Sequence, residues 1–135
     1  MYNKSYIVQS VRTPIGSFGS QLSHFSAPEL GSLVIKEIIG RTGLDKDVIE
    51  EVIFGNVLSA GIGQAPARQI ALYSGLPDKV ECLTINKMCG SGLKAVMLAD
   101  QVISINSAEV VIAGGAESMS NAPYLIPKRL SRFGH

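Results

Sequence analysis

The sequence predicts an α/β fold, a mostly parallel sheet with crossover helices. Short apolar runs with strand character alternate with segments whose apolar residues recur at helical spacing. The order is strand, helix, strand, helix, strand, helix, strand, which a parallel sheet with crossover connections explains. The last run, Ala108-Glu109-Val110-Val111-Ile112-Ala113-Gly114-Gly115, is nearly all apolar without alternation, as a strand covered on both faces requires. A composition of 46% apolar and 17% charged residues can fill such a core and excludes global disorder.

The elements follow in order. Tyr6-Ile7-Val8-Gln9-Ser10-Val11 reads as the first strand, ended by Thr13-Pro14 and the glycines Gly16 and Gly19. Ser26-Ala27-Pro28-Glu29 has capping-box spacing, with Pro28 in the first turn, where a missing N–H does little harm. Leu30, Leu33, Val34 and Ile38 continue at helical spacing, and Gly40 and Gly43 punctuate the end. Glu51 to Val57 reads as a second strand and Ala65 to Ser74 as a second helix, stopped by Gly75 and Pro77. Glu81 to Asn86 is the third strand. A long apolar helix runs from about Cys89 to Ile105, and the run from Ala108 closes the series. From Asn121 the chain changes character, with two prolines and then Lys128, Arg129 and Arg132, as an excursion leaving the sheet would.

With 135 residues the chain suits one domain, which would bury roughly two-thirds of its unfolded surface. A net charge of +1 gives no footprint for nucleic acid. Two cysteines make neither a disulfide scaffold nor a zinc site without histidines at ligand spacing, so no metal is expected. No apolar run approaches the roughly 20 residues that cross a bilayer, and the N-terminus lacks a signal-peptide pattern. A cytoplasmic chain with reduced thiols is the expectation.

The segment with chemical promise is Asn86-Lys87-Met88-Cys89-Gly90-Ser91-Gly92-Leu93. It places Cys89 between a strand end and a helix start. Ligands of parallel sheets bind beyond the carboxyl ends of the strands. Unpaired N–H groups at a helix N-terminus stabilise a thiolate and can donate to an oxyanion. Gly90 and Gly92 break the local rules for a first helical turn, and their missing side chains let a substrate or another backbone come close. The plain alternative is that a cysteine in an apolar α/β chain is a buried small hydrophobe. Cys82, in mid-strand, takes that reading. For Cys89 both readings stand on the residues alone.

Other features are weaker. Gly61-Ile62-Gly63-Gln64-Ala65-Pro66 has the look of a phosphate loop but lacks the third glycine of a dinucleotide fingerprint and the Lys-Ser/Thr of a P-loop, so a tight turn explains it equally. Glu117 is either a hydrogen-bond partner or a helix-start residue. A nucleophile needs a base, yet the only histidines are His24 and His135, both expected on the solvated surface.

Four motifs in order closely resemble the thiolases, specifically the acetyl-CoA acetyltransferases of that superfamily. They are Arg12-Thr13-Pro14-Ile15-Gly16, Gly61 to Gln69, Asn86 to Ala95, and Ala113-Gly114-Gly115-Ala116-Glu117-Ser118-Met119-Ser120. The resemblance spans essentially the whole chain, and the flanks Cys89-Gly90-Ser91-Gly92 separate it from ketoacyl synthases. It implies a thiolase-like βαβαβαββ half, here incomplete, over 1–120, with the start of an inserted loop domain over 121–135. It implies Cys89 as the acyl-accepting nucleophile, forming a thioester intermediate in Claisen condensation of two acetyl-CoA or in thiolysis of a 3-ketoacyl-CoA. Acetyl-CoA, acetoacetyl-CoA and CoA are then substrates and products, and no separate cofactor is expected. In such proteins the activating histidine and a second cysteine lie in a second half, whose motifs are absent here. The chain is therefore read as an N-terminal part that is inactive alone, working as a homo-oligomer (dimer or tetramer) or with a partner chain carrying the other half. A broader-range 3-ketoacyl-CoA thiolase and a non-catalytic subunit are the alternatives.

Overall fold

A computed structural model describes residues 3–129. Helix α1 covers Ala27–Thr42, strand β1 Glu51–Gly55, helix α2 Pro66–Tyr73, strand β2 Glu81–Ile85, helix α3 Ser91–Ser104 and strand β3 Val111–Gly115. The three strands form one parallel sheet in the order β2-β1-β3, with Glu51 opposite both Glu81 and Val111. The chain steps from β1 to its neighbour β2 through α2, then returns across β1 to β3 through α3. Right-handed crossovers in opposite directions along a sheet put their helices on opposite faces, and the side chains bear this out. Val52 and Phe54 pack with Ile35, Ala67, Ile70 and Ala71 of α1 and α2, whereas Ile53 packs with Ala95 and Ala99 of α3.

Local chemistry accounts for most boundaries. The Ser26 hydroxyl accepts from the Glu29 N–H at 3.4 Å, and the Glu29 carboxylate accepts from the Ser26 N–H at 2.7 Å, closing the expected capping box. That backbone bond holds the Glu29 carboxyl below its ordinary range. Gly40 lies inside α1 rather than ending it; the stop comes at Gly43, which adopts φ 65° and donates to Ile39. Beside β2, the Thr84 hydroxyl accepts from the Ala67 N–H at 2.9 Å, occupying an amide of the first turn of α2.

One expected element is absent. Residues 6–11 form no strand, and Tyr6, Ile7 and Val8 stand exposed. Strand propensity is realised only against a hydrogen-bonding edge, and this segment has none. Residues 3–5 are instead tied to the end of α3, through Asn3 with Ser104 and Asn106 and through Ser5 with Asp100. The sheet therefore has three strands among the described residues, not four. Of β3 only Ile112 is buried, so that strand is less covered than its apolar sequence suggests. The start of the expected loop segment, 121–129, is described, while Arg132 and His135 lie outside the described residues.

At the amino ends of the strands, Glu51 and Glu81 sit side by side in register. Burial pushes the Glu51 carboxyl above its ordinary range, and the charge of Glu81 adds to the push. A carboxyl shifted upward binds its proton more tightly in the folded state. Stability therefore falls as pH rises through the window just above the ordinary carboxylate range, and the penalty persists at neutral pH. Glu51→Gln is expected to raise the thermal midpoint at neutral pH and to lose that advantage below the carboxylate range. Melts at the two pH values check it; an equal gain at both would refute the electrostatic origin.

Candidate functional site

The site lies at the carboxyl end of the sheet, where β2 leaves for α3. Cys89 is exposed and falls in the turn between them, with Gly90 as N-cap and Ser91 as first helical residue. The helix thus begins two residues later than the sequence suggested, which puts the thiol just ahead of the first turn.

Glycines let the helix reach the sheet. A Cβ built on Gly55, the last residue of β1, would come within 2.6 Å of the Ser91 Cβ and 2.7 Å of the Ser91 carbonyl carbon. One on Gly115, the last residue of β3, would meet the Gly92 Cα at 3.3 Å. The first turn of α3 therefore rests in a notch between the ends of β1 and β3. Of the two purposes the sequence allowed for Gly92, close approach of another backbone is the one observed.

Three exits meet at this notch and are bonded together. The Asn56 N–H donates to Ile85 O and the Ala116 N–H to Gly55 O, both at 3.0 Å. Glu117 proves to be a hydrogen-bond partner: its carboxylate accepts from Asn56 Nδ2 at 2.9 Å and from the Val57 and Leu58 N–H groups at 3.0 Å. Asn56 is buried, and Nδ2 also donates to Ala116 O. Asn56 escaped notice in the sequence, where it reads as the tail of an apolar strand. A polar residue at the mouth of such a run was its only signal.

The turn bearing Cys89 is stitched locally. The Met88 N–H donates to Asn86 Oδ1 at 3.0 Å, the Gly90 N–H to Lys87 O at 3.1 Å, and the Ser91 N–H to Met88 O at 3.1 Å. The Ser91 hydroxyl accepts from the Lys87 N–H at 2.9 Å and donates to Met88 O at 2.7 Å. The sequence alone assigns Ser91 no role. Among the described residues, the N–H groups of Gly92 and Leu93, in the first turn of α3, have no acceptor. They are among the unpaired donors that a helix start leaves over.

The other candidates separate from this site. Gly61 to Pro66 is a tight turn, with Gly61, Gly63 and Ala65 at positive φ and Gln69 Nε2 donating to Ile62 O and Gln64 O at 2.8 Å. His24 is exposed and stacks on Phe25, with ring centres 4.1 Å apart. Among the described residues no group of three or more His, Cys, Asp or Glu could hold a metal, and no helix is long and apolar enough to cross a membrane.

Cys82 is half-buried in β2. It does have a cation nearby, Arg68 Nη1 at 4.0 Å, but that guanidinium is already bonded to Val80 O and Asp78 O. Burial outweighs it and pushes the Cys82 thiol up. Iodoacetamide at neutral pH is expected to label Cys89 at least about tenfold faster than Cys82. The Cys82 rate should climb only above the ordinary thiol range, where its thiolate finally forms. Peptide mass mapping over a pH series reads both, and matching profiles for the two thiols would contradict the assignment.

Comparison with known proteins agrees with this architecture. The family model described as thiolase, N-terminal domain matches residues 5–133. An acetyl-CoA acetyltransferase of Schizosaccharomyces pombe is 52% identical over 129 residues, covering 96% of this chain and 32% of that protein. A cytosolic acetyl-CoA acetyltransferase of Gibberella zeae is 52% identical over 122 residues, covering 90% of this chain and 31% of that protein. The crystal structure of the Acat5 thiolase from Ascaris suum in complex with coenzyme A superposes with a TM-score of 0.85 at 51% identity, over 87% of this chain and 31% of that one. The chain spans about a third of the length of the relatives it matches. It belongs to the thiolase family, over the N-terminal domain.

Proposed function

We propose that this chain is the nucleophile-bearing N-terminal portion of an acetyl-CoA acetyltransferase, with Cys89 as the acyl acceptor. The observation that carries the reading is the exposed thiol in the turn between the carboxyl end of β2 and the first turn of α3. In the reaction, the Cys89 thiolate attacks the carbonyl carbon of an acetyl-CoA thioester. A new carbon–sulfur bond forms, the bond to CoA breaks, and CoA leaves as its thiolate. The free N–H groups stabilise the oxyanion formed during attack. A second acetyl-CoA then loses an α-proton to a base, and its carbanion displaces Cys89 from the acyl group to give acetoacetyl-CoA. Thiolysis runs the same steps backwards. A thiolate suits both directions because it attacks well and leaves well. CoA thioesters are substrates here, and no further cofactor is invoked.

Among the described residues no side chain hydrogen-bonds the Cys89 thiol, and the one described histidine, His24, lies exposed beside Phe25. The base is assigned to the part of a thiolase this chain does not span, in a partner chain or a further segment. Exposed apolar residues on α3, Leu93, Val96 and Met97, support a covering partner, in line with association as a dimer, tetramer or complementary pair. A cytoplasmic location is the reading supported by the cytosolic relative.

The test is turnover of acetoacetyl-CoA with CoA, followed by loss of acetoacetyl-CoA. The 135-residue chain alone is expected to show none, and co-expression with the remaining two-thirds of a thiolase sequence is expected to restore it. Cys89→Ala in the restored pair should abolish it. Turnover by the chain alone would overturn the division of labour, and an active Cys89→Ala pair would overturn the nucleophile.

A further inference from the structure

We infer that Ser91 is the positioning residue for Cys89, its hydroxyl locking the turn that presents the thiol to the start of α3. This rests on the reading of Cys89 as nucleophile and adds a specific device to it. Met88, immediately before the thiol, has φ 50°, in the left-handed region that a residue with a Cβ adopts only at a cost. Its side chain is 68% exposed, so packing does not hold it there. Hydrogen bonds do. The Met88 carbonyl accepts from both the Ser91 hydroxyl and the Ser91 N–H, and the same hydroxyl oxygen accepts from the Lys87 N–H. One side chain thus spans the turn from Lys87 to Ser91, with Cys89 inside the loop it closes.

Ser91 is itself fixed from behind. It is 5% exposed, and its Cβ lies against Gly55, where a β-carbon would stand 2.6 Å away. The hydroxyl therefore has little freedom to leave the turn. A strained residue persists where its surroundings over-determine it: Asn86 Oδ1 accepts from the Met88 N–H, the Ser91 N–H and hydroxyl both donate to the Met88 carbonyl, and that wedged hydroxyl alone among these side chains spans the turn from Lys87 to Ser91. Without it Met88 relaxes from the left-handed region, and the turn that carries the thiol ahead of α3 changes shape.

The experiment uses the 135-residue chain, with the neutral-pH rate of iodoacetamide alkylation at Cys89 measured by peptide mass mapping and Cys82 as internal reference. Folding of each variant is checked by far-UV circular dichroism. Ser91→Ala is expected to slow Cys89 about fivefold, the size of a lost turn-closing bond, and to leave Cys82 unchanged. Adding Met88→Gly, which adopts the left-handed region without a Cβ penalty, is expected to recover most of the loss. A merely structural serine would gain nothing from that second change. A folded Ser91→Ala chain with the wild-type Cys89 rate overturns the proposal. So does a double variant no faster than the single one, or the global unfolding of both. The parent reading fails separately, if wild-type Cys89 reacts no faster than the thiol of a free peptide of residues 86–94.

Discussion

Everything at the carboxyl end of this sheet depends on how closely α3 can approach it. Backbone meets backbone there because β1 and β3 both end in glycine. A β-carbon at Gly55 would overlap Ser91, and one at Gly115 would press on Gly92. Well-packed contacts do not yield by that much without backbone shifts, so the notch is a binary condition rather than a graded preference. With it, the first turn of α3 sits at the mouth of the sheet. Ser91 is then wedged in place, and Cys89 stands just ahead of free helix amides.

The exits of the three strands share one hydrogen-bonded frame. Glu117 takes three donors from the β1 exit, and Asn56 bridges to the exits of both β2 and β3. Nothing in this frame touches the thiol directly, yet it fixes the walls of the notch. Chemistry and scaffold divide here: the thiol needs exposure, and the groups that hold its turn need burial. The Cys82 thiol illustrates the opposite case, half-buried in a strand and pushed away from ionisation.

Much of this was legible in the residues. Ser26 and Glu29 announce the start of α1 because a capping box is local, and the alternation of strand and helix placed Cys89 at a junction. The failures share a cause. Tyr6 to Val11 has strand composition, but pairing is decided by which edge the rest of the fold leaves open, and no local pattern encodes that. Asn56 and Glu117 lie sixty-one positions apart in sequence, so their contact has no spacing to recognise. Ser91 looks like a small neutral spacer until Gly55 is seen behind it. The glycines gave the most to a sequence reading, since each needed a reason. They misled once, at Gly40, which sits in α1 with open space around it.

Because the notch is the condition on which the site rests, Gly55→Ala tests it most directly, with Gly40→Ala as its control. At Gly40 a β-carbon meets nothing, and alanine should stabilise the exposed helix interior by about 0.5–1 kcal/mol. At Gly55 the account predicts a loss of about 1–3 kcal/mol in denaturant unfolding, together with a slower alkylation of Cys89 in the fraction that remains folded. A Gly55→Ala chain as stable as the wild type, with Cys89 reacting at its original rate, would contradict it.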